Sequence, residues 1–501
     1  MHLKRILTAA IIAGAWAVQA QTTTNPAPAT ATREITLQEA IQMALENNLD
    51  VQIQRFGPAI SQFNLNGSYA YYEPSLGFNF IHSFNSRPGR FNPDLGLRIG
   101  ESESASDIFS IPSLGGVLPT GTRYSIDAAT VGTEVQGVPR KDYSGDWGIN
   151  VTQPILRDAW IDQGRAQILI NKRMLKSSEF AFVGQVMQTV SAVEQAYYNL
   201  VAARENVKVA EKALELAKRT LLENRKKVEV GALAQLDERE AESQVASSEA
   251  DLLGAQRDLA LRENVLKNLL TSDYPKLHGI QFVPSENLVP VPMAFDVQES
   301  WRTGLAQRPD LQQARIDLDR RDINLRYQKN QLFPALDLIG SYGHNGLNSS
   351  YGRVFDDLTK DQNPSYSYGF RLSIPLGNAR ARNTYKATKA EKEQALLQIK
   401  KLEQDVMVQI DDAIKRVQTS FQRIEATRQA RIFAVAALDA EQKKLENGKS
   451  TSFQVLQFQQ RRTQAGYAEI AALSDYNNAR SQLALVEGTT LERHHLNVSV
   501  K

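Results

Sequence analysis

The dominant pattern in this chain is a run of apolar residues spaced alternately four and three apart within Gln163–Glu229. No proline interrupts this segment, so the pattern predicts one helix about 100 Å long, with a seam that packs against neighbouring helices. A second long helix is predicted from Arg380 to Asn447, where looser spacing suits a curved helix. The two seams consist of Phe182, Val186, Thr189, Val193, Ala196, Leu200, Ala203, Val207, Ala210, Leu214, Ala217 and Leu221, and of Ile399, Leu402, Val406, Ile410, Ala413, Val417, Phe421 and Ile424.

Two shorter helices are predicted at Leu49–Tyr71 and Leu233–Leu270, and together they nearly equal one long helix in length. Stacked end to end, they would run antiparallel beside it. A further helix is predicted to begin after Thr36, because a threonine followed three residues later by Glu39 forms a capping box.

Four segments alternate between apolar and polar or small residues, which predicts four strands per chain. Such strands are typical of a membrane β-barrel, with an apolar lipid face and a polar lumen face, and also of a half-buried sheet in a soluble protein. If they span a membrane, several copies must join to close the barrel, and three copies would supply twelve strands. Between the first two strands, residues 87–145 form an excursion rich in Gly, Pro, Ser and Asp; we predict a surface hairpin there, with additional barrel strands as the alternative. The apolar faces consist of Leu76, Phe78 and Phe80; Trp147, Ile149 and Val151; Leu336 and Leu338; and Tyr366, Tyr368, Phe370, Leu372 and Ile374.

The chain carries one plan twice. Pro74 and Pro334 each end a helix and precede an alternating segment, and Gly231 and Gly448 each follow a long helix. Before the first copy, a basic pair, an apolar run and small residues ending at Ala20 predict a cleaved signal peptide, the alternative being an uncleaved membrane anchor. The predicted divisions are the signal peptide 1–20, a flexible leader 21–34, a first repeat 35–289, a second repeat 290–490 and a C-terminal tail 491–501.

Composition offers little sign of chemistry. The 58 basic and 56 acidic residues leave a net charge of +2, which favours no nucleic acid. The chain has no cysteine, so disulfides and thiolate chemistry are excluded. We find no nucleotide-binding, metalloprotease or serine-hydrolase motif, and interpret His494 and His495 as an exposed pair in the tail without a metal. The sequence therefore predicts a protein that is not an enzyme and uses no cofactor.

Four stretches are distinctive: ITLQEAIQMALENNLDV at 35–51, VTQPILRD at 151–158, VGALAQLDEREAESQ at 230–244, and the segment 305–343, which contains RPDL and FPALDL. Through them the chain resembles the TolC-like outer membrane efflux protein family over nearly the whole mature length. The resemblance implies an α+β membrane protein: a homotrimer with a twelve-stranded β-barrel among outer-membrane lipid and a periplasmic α-helical tunnel. It also implies a periplasmic adaptor and an inner-membrane transporter as partners.

The turns after the two long helices are the best candidate sites. Each contains a glycine that suits a helix C-cap, and the resemblance implies that these tips contact the adaptor. The tip residues are Val230, Gly231 and Ala232 in the first copy and Asn447, Gly448 and Lys449 in the second.

The resemblance also implies an acidic pair behind the second tip that lines the entrance constriction, and an arginine that braces the closed state. Here the acidic positions hold Gln454 and Gln457, and the arginine position holds Ser450. The candidate constriction charges are therefore Asp237 and Glu240 behind the first tip, with an ordinary solvated helix face as the alternative.

The sequence thus favours an outer-membrane channel subunit that serves as the exit duct of a tripartite efflux system. One alternative is the outer-membrane duct of type I protein secretion, which shares the fold. Another is a soluble periplasmic coiled-coil scaffold, which would carry polar residues on both faces of its strands.

Overall fold

The computed structural model of the protein describes residues 31–94, 96–135, 141–360 and 363–497. The predicted signal peptide and parts of the leader and the tail lie outside these ranges. The helices are α1 (Leu37–Asn47), α2 (Leu49–Ser68), α3 (Gln163–Glu229), α4 (Gln235–Leu270), α5 (Tyr274–His278), α6 (Val297–Gln307), α7 (Pro309–Asn330), α8 (Tyr351–Thr359), α9 (Ala379–Glu446), α10 (Ser452–Glu487) and α11 (Thr490–Arg493), and a 3₁₀ turn spans Tyr69–Tyr72. The strands are β1 (Ala31–Ile35), β2 (Ser75–Arg87), β3 (Arg90–Asn92), β4 (Leu97–Ile99), β5 (Ser102–Val117), β6 (Arg123–Val135), β7 (Asp142–Pro154), β8 (Ile280–Pro284), β9 (Ala335–Asn348) and β10 (Pro364–Ser373).

The two long helices confirm the prediction from the apolar seams. α3 has 67 residues and α9 has 68, which corresponds to about 100 Å each. Within the first seam Phe182, Val193 and Leu200 are buried against α1, α2 and α4, and each such side chain stabilises the fold by about 1.5–3 kcal/mol. None of the helices that the structure describes is long and apolar enough to cross a membrane.

The helices form a wall that is four helices wide at each level. Near the sheet, α3 packs against α2 and α7, and α7 packs against α9; near the other end, α3 packs against α4 and α10, and α10 packs against α9. The outer helices of one chain are therefore α2 and α4 on one side and α9 on the other.

The end of the predicted leader is an ordered strand. Residues 31–35 form β1, which pairs in parallel with β8, so the expectation of a flexible segment is wrong for 31–34. The reason is that Ile35 is buried in the core beside Phe282 and anchors the strand. Thr36 then caps α1 by accepting a hydrogen bond from the Glu39 amide, 3.1 Å away, as predicted.

The large sheet has six strands, in the order β10-β9-β7-β6-β5-β2, all antiparallel. The predicted number of four strands per chain is therefore corrected to six, because β5 and β6 from the excursion 87–145 belong to the same sheet. The surface-hairpin expectation fits only the small β3–β4 pair. The glycines and serines of β5 and β6 suggested a loop, but small residues at alternate positions also form the polar face of a strand.

The register of the sheet separates its two faces chemically. One row across the six strands is apolar and the adjacent row is small or polar. Leu76, Leu114, Ile126, Ile149, Tyr342 and Tyr366 form the apolar row, and Ser75, Gly115, Ser125, Asn150, Ser341 and Ser367 form the polar row.

α8 covers the apolar face at the end of the sheet far from the long helices. Its Val354 and Leu358 are buried, and a Cβ placed on Gly145 would lie 2.6 Å from Val354 Cγ1. The Trp147 indole N–H donates to the Leu358 carbonyl over 3.2 Å. Small residues in β7 therefore let this short helix approach the sheet closely.

Candidate functional site at the helical tips

The first tip joins α3 to α4 through a left-handed glycine. Gly231 has a φ of 73°, a conformation that glycine adopts without strain. The amides of Gly231 and Ala232 return to the carbonyls of Val228 and Lys227, at 2.9 and 2.7 Å. Among the described residues, no neighbouring heavy atom comes within 4 Å of a Cβ built on Gly231, so the backbone angle and not crowding requires glycine.

The second tip repeats this geometry between α9 and α10. Gly448 has a φ of 69°, and the amides of Gly448 and Lys449 bond to Leu445 and Lys444 carbonyls at 3.1 and 2.8 Å. The predicted glycine C-caps are thus confirmed at both tips. Contact of these residues with an adaptor stays a prediction.

Asn224 connects the two tips. This side chain of α3 is 2% exposed, and its amide donates to Ser452 Oγ over 2.6 Å and to the Asp237 carbonyl oxygen over 3.3 Å. The first turns of α4 and α10 are therefore held side by side on the last turns of α3. Sequence reasoning missed Asn224, although a polar residue in line with an apolar seam was the available signal.

Ser450 closes the second tip by hydrogen bonds instead of the charged brace that the resemblance implies at its position. Its hydroxyl lies 2.5 Å from Glu441 Oε1 and 3.1 Å from Gln454 Oε1. The Ser450 hydrogen bond, followed by the contact with Lys444, lowers the pKa of Glu441. Glu441 therefore stays ionised and can accept from Ser450, which links α9 to the start of α10.

The candidate constriction residues occupy equivalent positions in the two copies. Asp237 and Glu240 are the third and sixth residues of α4, and Gln454 and Gln457 are the third and sixth of α10. Asp237 and Glu240 are half-buried in the isolated chain, whereas both glutamines are exposed. The Asp237 carboxylate also caps α4, accepting from the Ala234 amide over 3.2 Å. Their place at a constriction stays a prediction.

The C-terminal histidines differ from each other, which corrects the interpretation of an exposed pair. His495 is exposed, but His494 Nε2 lies 2.9 Å from Oε1 of Glu194, a fully buried residue of α3. Ser481 donates to the other carboxylate oxygen over 2.6 Å. Burial would raise the pKa of Glu194, but His494, the Arg493 charge and Ser481 outweigh burial and lower the pKa. A buried carboxylate needs such partners, so the contact between His494 and Glu194 fixes the C-terminal tail against α3.

The RPDL stretch of the second repeat forms a packing hub. Arg308 donates two hydrogen bonds to the Asp310 carboxylate, at 3.0 and 2.7 Å, and one to Gln409 of α9 at 2.7 Å. Burial raises the pKa of Asp310, but the Arg308 contacts outweigh it and lower the pKa. These bonds fix the junction of α6 and α7 against α9, so the motif has a structural role here.

Within the ranges that the structure describes, no group of three or more His, Asp or Glu residues could hold a metal ion. Both tips present charged side chains, among them the half-buried Asp237 and the exposed Lys449.

The family model described as "Outer membrane efflux protein" matches residues 111–272 and 302–489. The outer membrane protein TolC of Vibrio cholerae is 24% identical over 376 residues, which cover 72% of this chain and 80% of that protein. The cation efflux system protein CusC of Escherichia coli K12 is 26% identical over 242 residues, 47% of this chain and half of CusC. The family match includes both helical tips.

Solved structures match over a greater length. The crystal structure of the Campylobacter jejuni CmeC outer membrane channel is similar with a TM-score of 0.66 at 18% identity, covering 93% of this chain and 90% of that chain. This likeness establishes the α+β fold, with long helices below a sheet.

Proposed function

The chain belongs to the outer membrane efflux protein family, and we propose that it is a subunit of the exit duct of a tripartite efflux system. It resides in the outer membrane and extends into the periplasm. The duct conducts cargo passively from an inner-membrane transporter and its periplasmic adaptor to the exterior. The observation that carries this proposal is a sheet with one apolar and one polar face, joined directly to helices about 100 Å long.

The apolar face supports insertion in lipid. Leu76, Ile149 and Tyr366 of the apolar row expose 59%, 39% and 71% of their surface in the isolated chain. Water would penalise so much contiguous apolar surface, whereas lipid contact removes the penalty. The adjacent polar row carries its own hydrogen bonds, such as Ser341 to Ser367 at 2.7 Å, as suits a water-filled lumen. A soluble scaffold would need polar residues on both faces.

The edges of the chain support a ring of copies. β2 and β10 are the two ends of the sheet, and open strand edges are not tolerated in hydrocarbon. Below them, α2 exposes an apolar seam with heptad spacing, a pattern that normally packs against another helix. A homotrimer would cover this seam and pair the strand edges. The seam consists of Leu49, Ile53, Phe56, Ile60 and Phe63, exposed by 50% to 70%.

The tips support docking to the adaptor. They lie at the far end of the helices from the sheet, and their exposed residues include Val230, which is 78% exposed. An apolar side chain held at the end of a capped helix suits contact with another protein. Contact at these tips would join the duct to the adaptor and the inner-membrane transporter.

The proposal is tested by native mass measurement of the protein extracted from outer membranes, combined with site-specific photocrosslinking at Val230 and Lys449. We expect a trimer, and crosslinks from both tip positions to a periplasmic adaptor. Crosslinking at Arg219, an exposed α3 position before the tip, is the matched control. A monomer in the periplasmic fraction would overturn the proposal in favour of a soluble scaffold. Crosslinks to an adaptor of a protein-exporting ABC transporter would instead indicate type I secretion.

A further inference from the structure

We propose that the barrel of the assembled duct contains eighteen strands, six from each chain, and that the hairpin β5–β6 widens its lumen. This inference rests on the proposed function, because it assumes three copies in a ring. The partner is a second copy of the chain, whose β10 pairs with β2. Because the six strands of one chain alternate in direction, β10 of one copy is antiparallel to β2 of the next, as closure requires.

The inserted hairpin carries the same two faces as the other strands. Ile126 of β6 lies between Leu114 of β5 and Ile149 of β7 in the apolar row. In the polar row, Asn150 of β7 donates to Ser125 of β6 over 3.3 Å. A surface flap exposed to water on both sides has no need of an apolar row in register with that of the barrel strands. The hairpin therefore has the chemistry of a lipid-facing strand pair.

The turn of the hairpin is anchored at the level where the strands meet the helices. Its closing bond runs from the Leu118 amide to the Thr122 carbonyl over 2.8 Å, and Thr122 Oγ1 donates to Gln153 at the end of β7. Gly121 in this turn has a φ of 82°, and a Cβ there would lie 3.0 Å from the Asp158 carbonyl oxygen. Such close packing on the β7–α3 connection places the hairpin within the wall of the barrel and not above the barrel.

Eighteen strands also match the width of the helical tunnel. A strand tilted by about 40° takes about 6 Å of the circumference, so eighteen strands give a diameter of about 35 Å. Four helices per chain at each level give twelve in a trimer, and twelve helices spaced about 9 Å apart also give about 35 Å. Twelve strands of the same tilt would give only about 24 Å. The extra hairpin thus lets the barrel continue the tunnel without narrowing.

The first test uses single cysteines, for which the chain offers a clean background because it contains none. Ser125→Cys and Ile126→Cys probe the two faces of β6, and Asn150→Cys and Ile149→Cys are matched controls on β7. In trimers in lipid vesicles, a membrane-impermeant maleimide should label the Ser125→Cys and Asn150→Cys variants at least about tenfold faster, because thiols react as thiolates in water. Lipid-attached quenchers should quench fluorophores at 126 and 149 alike.

The second test excises residues 102–135. β2 and β7 remain antiparallel after the excision, so a twelve-stranded barrel can close without the hairpin. Electron cryomicroscopy of this variant and the wild type in nanodiscs should show a barrel narrower by about one third, because barrel diameter grows with strand number.

Each outcome decides the inference separately from the proposed function. If the wild type is a trimer in the outer membrane but both β6 cysteines label equally fast, the hairpin lies outside the barrel and the inference is overturned. An excised barrel of unchanged diameter would overturn it as well. If the variant that lacks residues 102–135 does not assemble, the labelling rates of the cysteine variants still decide the inference. Absence of the wild type from the outer membrane would instead overturn the proposed function itself.

Discussion

Asn224 of α3 donates a 2.6 Å hydrogen bond to Ser452, the first residue of α10, across 228 positions of the sequence. Because the same amide also reaches the backbone of Asp237, one buried side chain links the starts of both tip helices. This link joins the two structural copies at the end of the tunnel farthest from the sheet. Both tip helices are therefore tied to the same residue of α3.

We predict that Asn224→Ala loosens the tips. The substitution leaves the Ser452 hydroxyl buried without this partner, which costs about 1–3 kcal/mol. We expect amide hydrogens in residues 450–456 to exchange faster and the basal single-channel conductance to rise. Hydrogen exchange with mass spectrometry and planar-bilayer recordings measure the two effects.

Asn447→Ala is the matched control for the tip link. Among the residues that the structure describes, the Asn447 side-chain amide donates only to the Lys443 carbonyl of its own helix, in an exposed position. This variant should keep wild-type exchange in residues 450–456. If Asn224→Ala and Asn447→Ala behave alike in exchange and conductance, the link through Asn224 does not hold the tips.

A second prediction concerns the tip glycines. Gly448→Val should lower the free energy of unfolding of the helical region, because a side chain in the left-handed conformation costs about 1–2 kcal/mol and valine is branched at Cβ. Gly231→Pro should do the same at the first tip. Export should fall in both variants, while the sheet still inserts in the membrane. Thermal unfolding and a cargo-resistance assay measure these effects.

Gly254→Ala is the control for the glycine prediction. Gly254 lies inside α4 in helical conformation, and among the described residues no neighbouring heavy atom comes within 4 Å of a Cβ built on it, as at Gly448. Alanine should stabilise the helix there by about 0.5–1 kcal/mol. If Gly448→Ala and Gly254→Ala both raise the free energy of unfolding, the backbone at position 448 does not require the left-handed conformation.

A third prediction follows from the buried Glu194. Because its pKa in the folded chain lies below the unfolded value, the ionised carboxylate stabilises the fold above the unfolded pKa of about 4.3. That contribution is lost as the pH falls through the folded pKa. Glu194→Gln should therefore cost about 1–3 kcal/mol at pH 7 and progressively less below about pH 4.

Melting temperatures of wild type and Glu194→Gln between pH 7 and pH 3 test the Glu194 prediction. Glu211→Gln, an exposed change on the same helix, is the control and should leave the difference from wild type small at every pH. If the difference in melting temperature between Glu194→Gln and wild type does not shrink at low pH, the Glu194 carboxylate is not ionised in the folded chain.

The helices were the most predictable part of the fold. Local periodicity and caps specify them, and Gln163–Glu229 was predicted to the residue. The order of the sheet was less accessible, because register depends on pairing between distant segments that single-strand alternation does not reveal. β5 could not be predicted for this reason. In addition, a β-bulge between Ile111 and Leu114 shifts the alternation of its side chains between the two faces midway along the strand.

The candidate site was predictable only in part. Gly231 and Gly448 carry a local signal, since a glycine after a long helix suits a C-cap. Ser452 and Glu194 carry no local signal, and Asn224 carries only its position in line with the apolar seam, because the partners of these side chains are far away in the sequence. Buried polar side chains resemble ordinary polar residues until the fold brings their partners to them.

The last prediction concerns ion selectivity at the entrance. Because Asn224 holds the first turns of α4 and α10 side by side, the third and sixth residues of each lie at comparable levels. In a trimer, Asp237 and Glu240 would place up to six carboxylates around the constriction. A ring of like charge attracts cations and repels anions, most strongly at low salt. Asp237→Asn combined with Glu240→Gln should therefore reduce cation selectivity, measured as the reversal potential in a salt gradient across a planar bilayer.

The second copy provides the reciprocal test, because Gln454 and Gln457 occupy the equivalent positions of α10. Gln454→Asp combined with Gln457→Glu would double the carboxylates of the ring and should increase cation selectivity. The asparagine at 237 can still accept the capping bond from Ala234, so the first variant should keep its helix start. If neither double variant shifts the reversal potential at low salt, these side chains do not face the lumen. The pair behind the first tip would then be an ordinary solvated helix face.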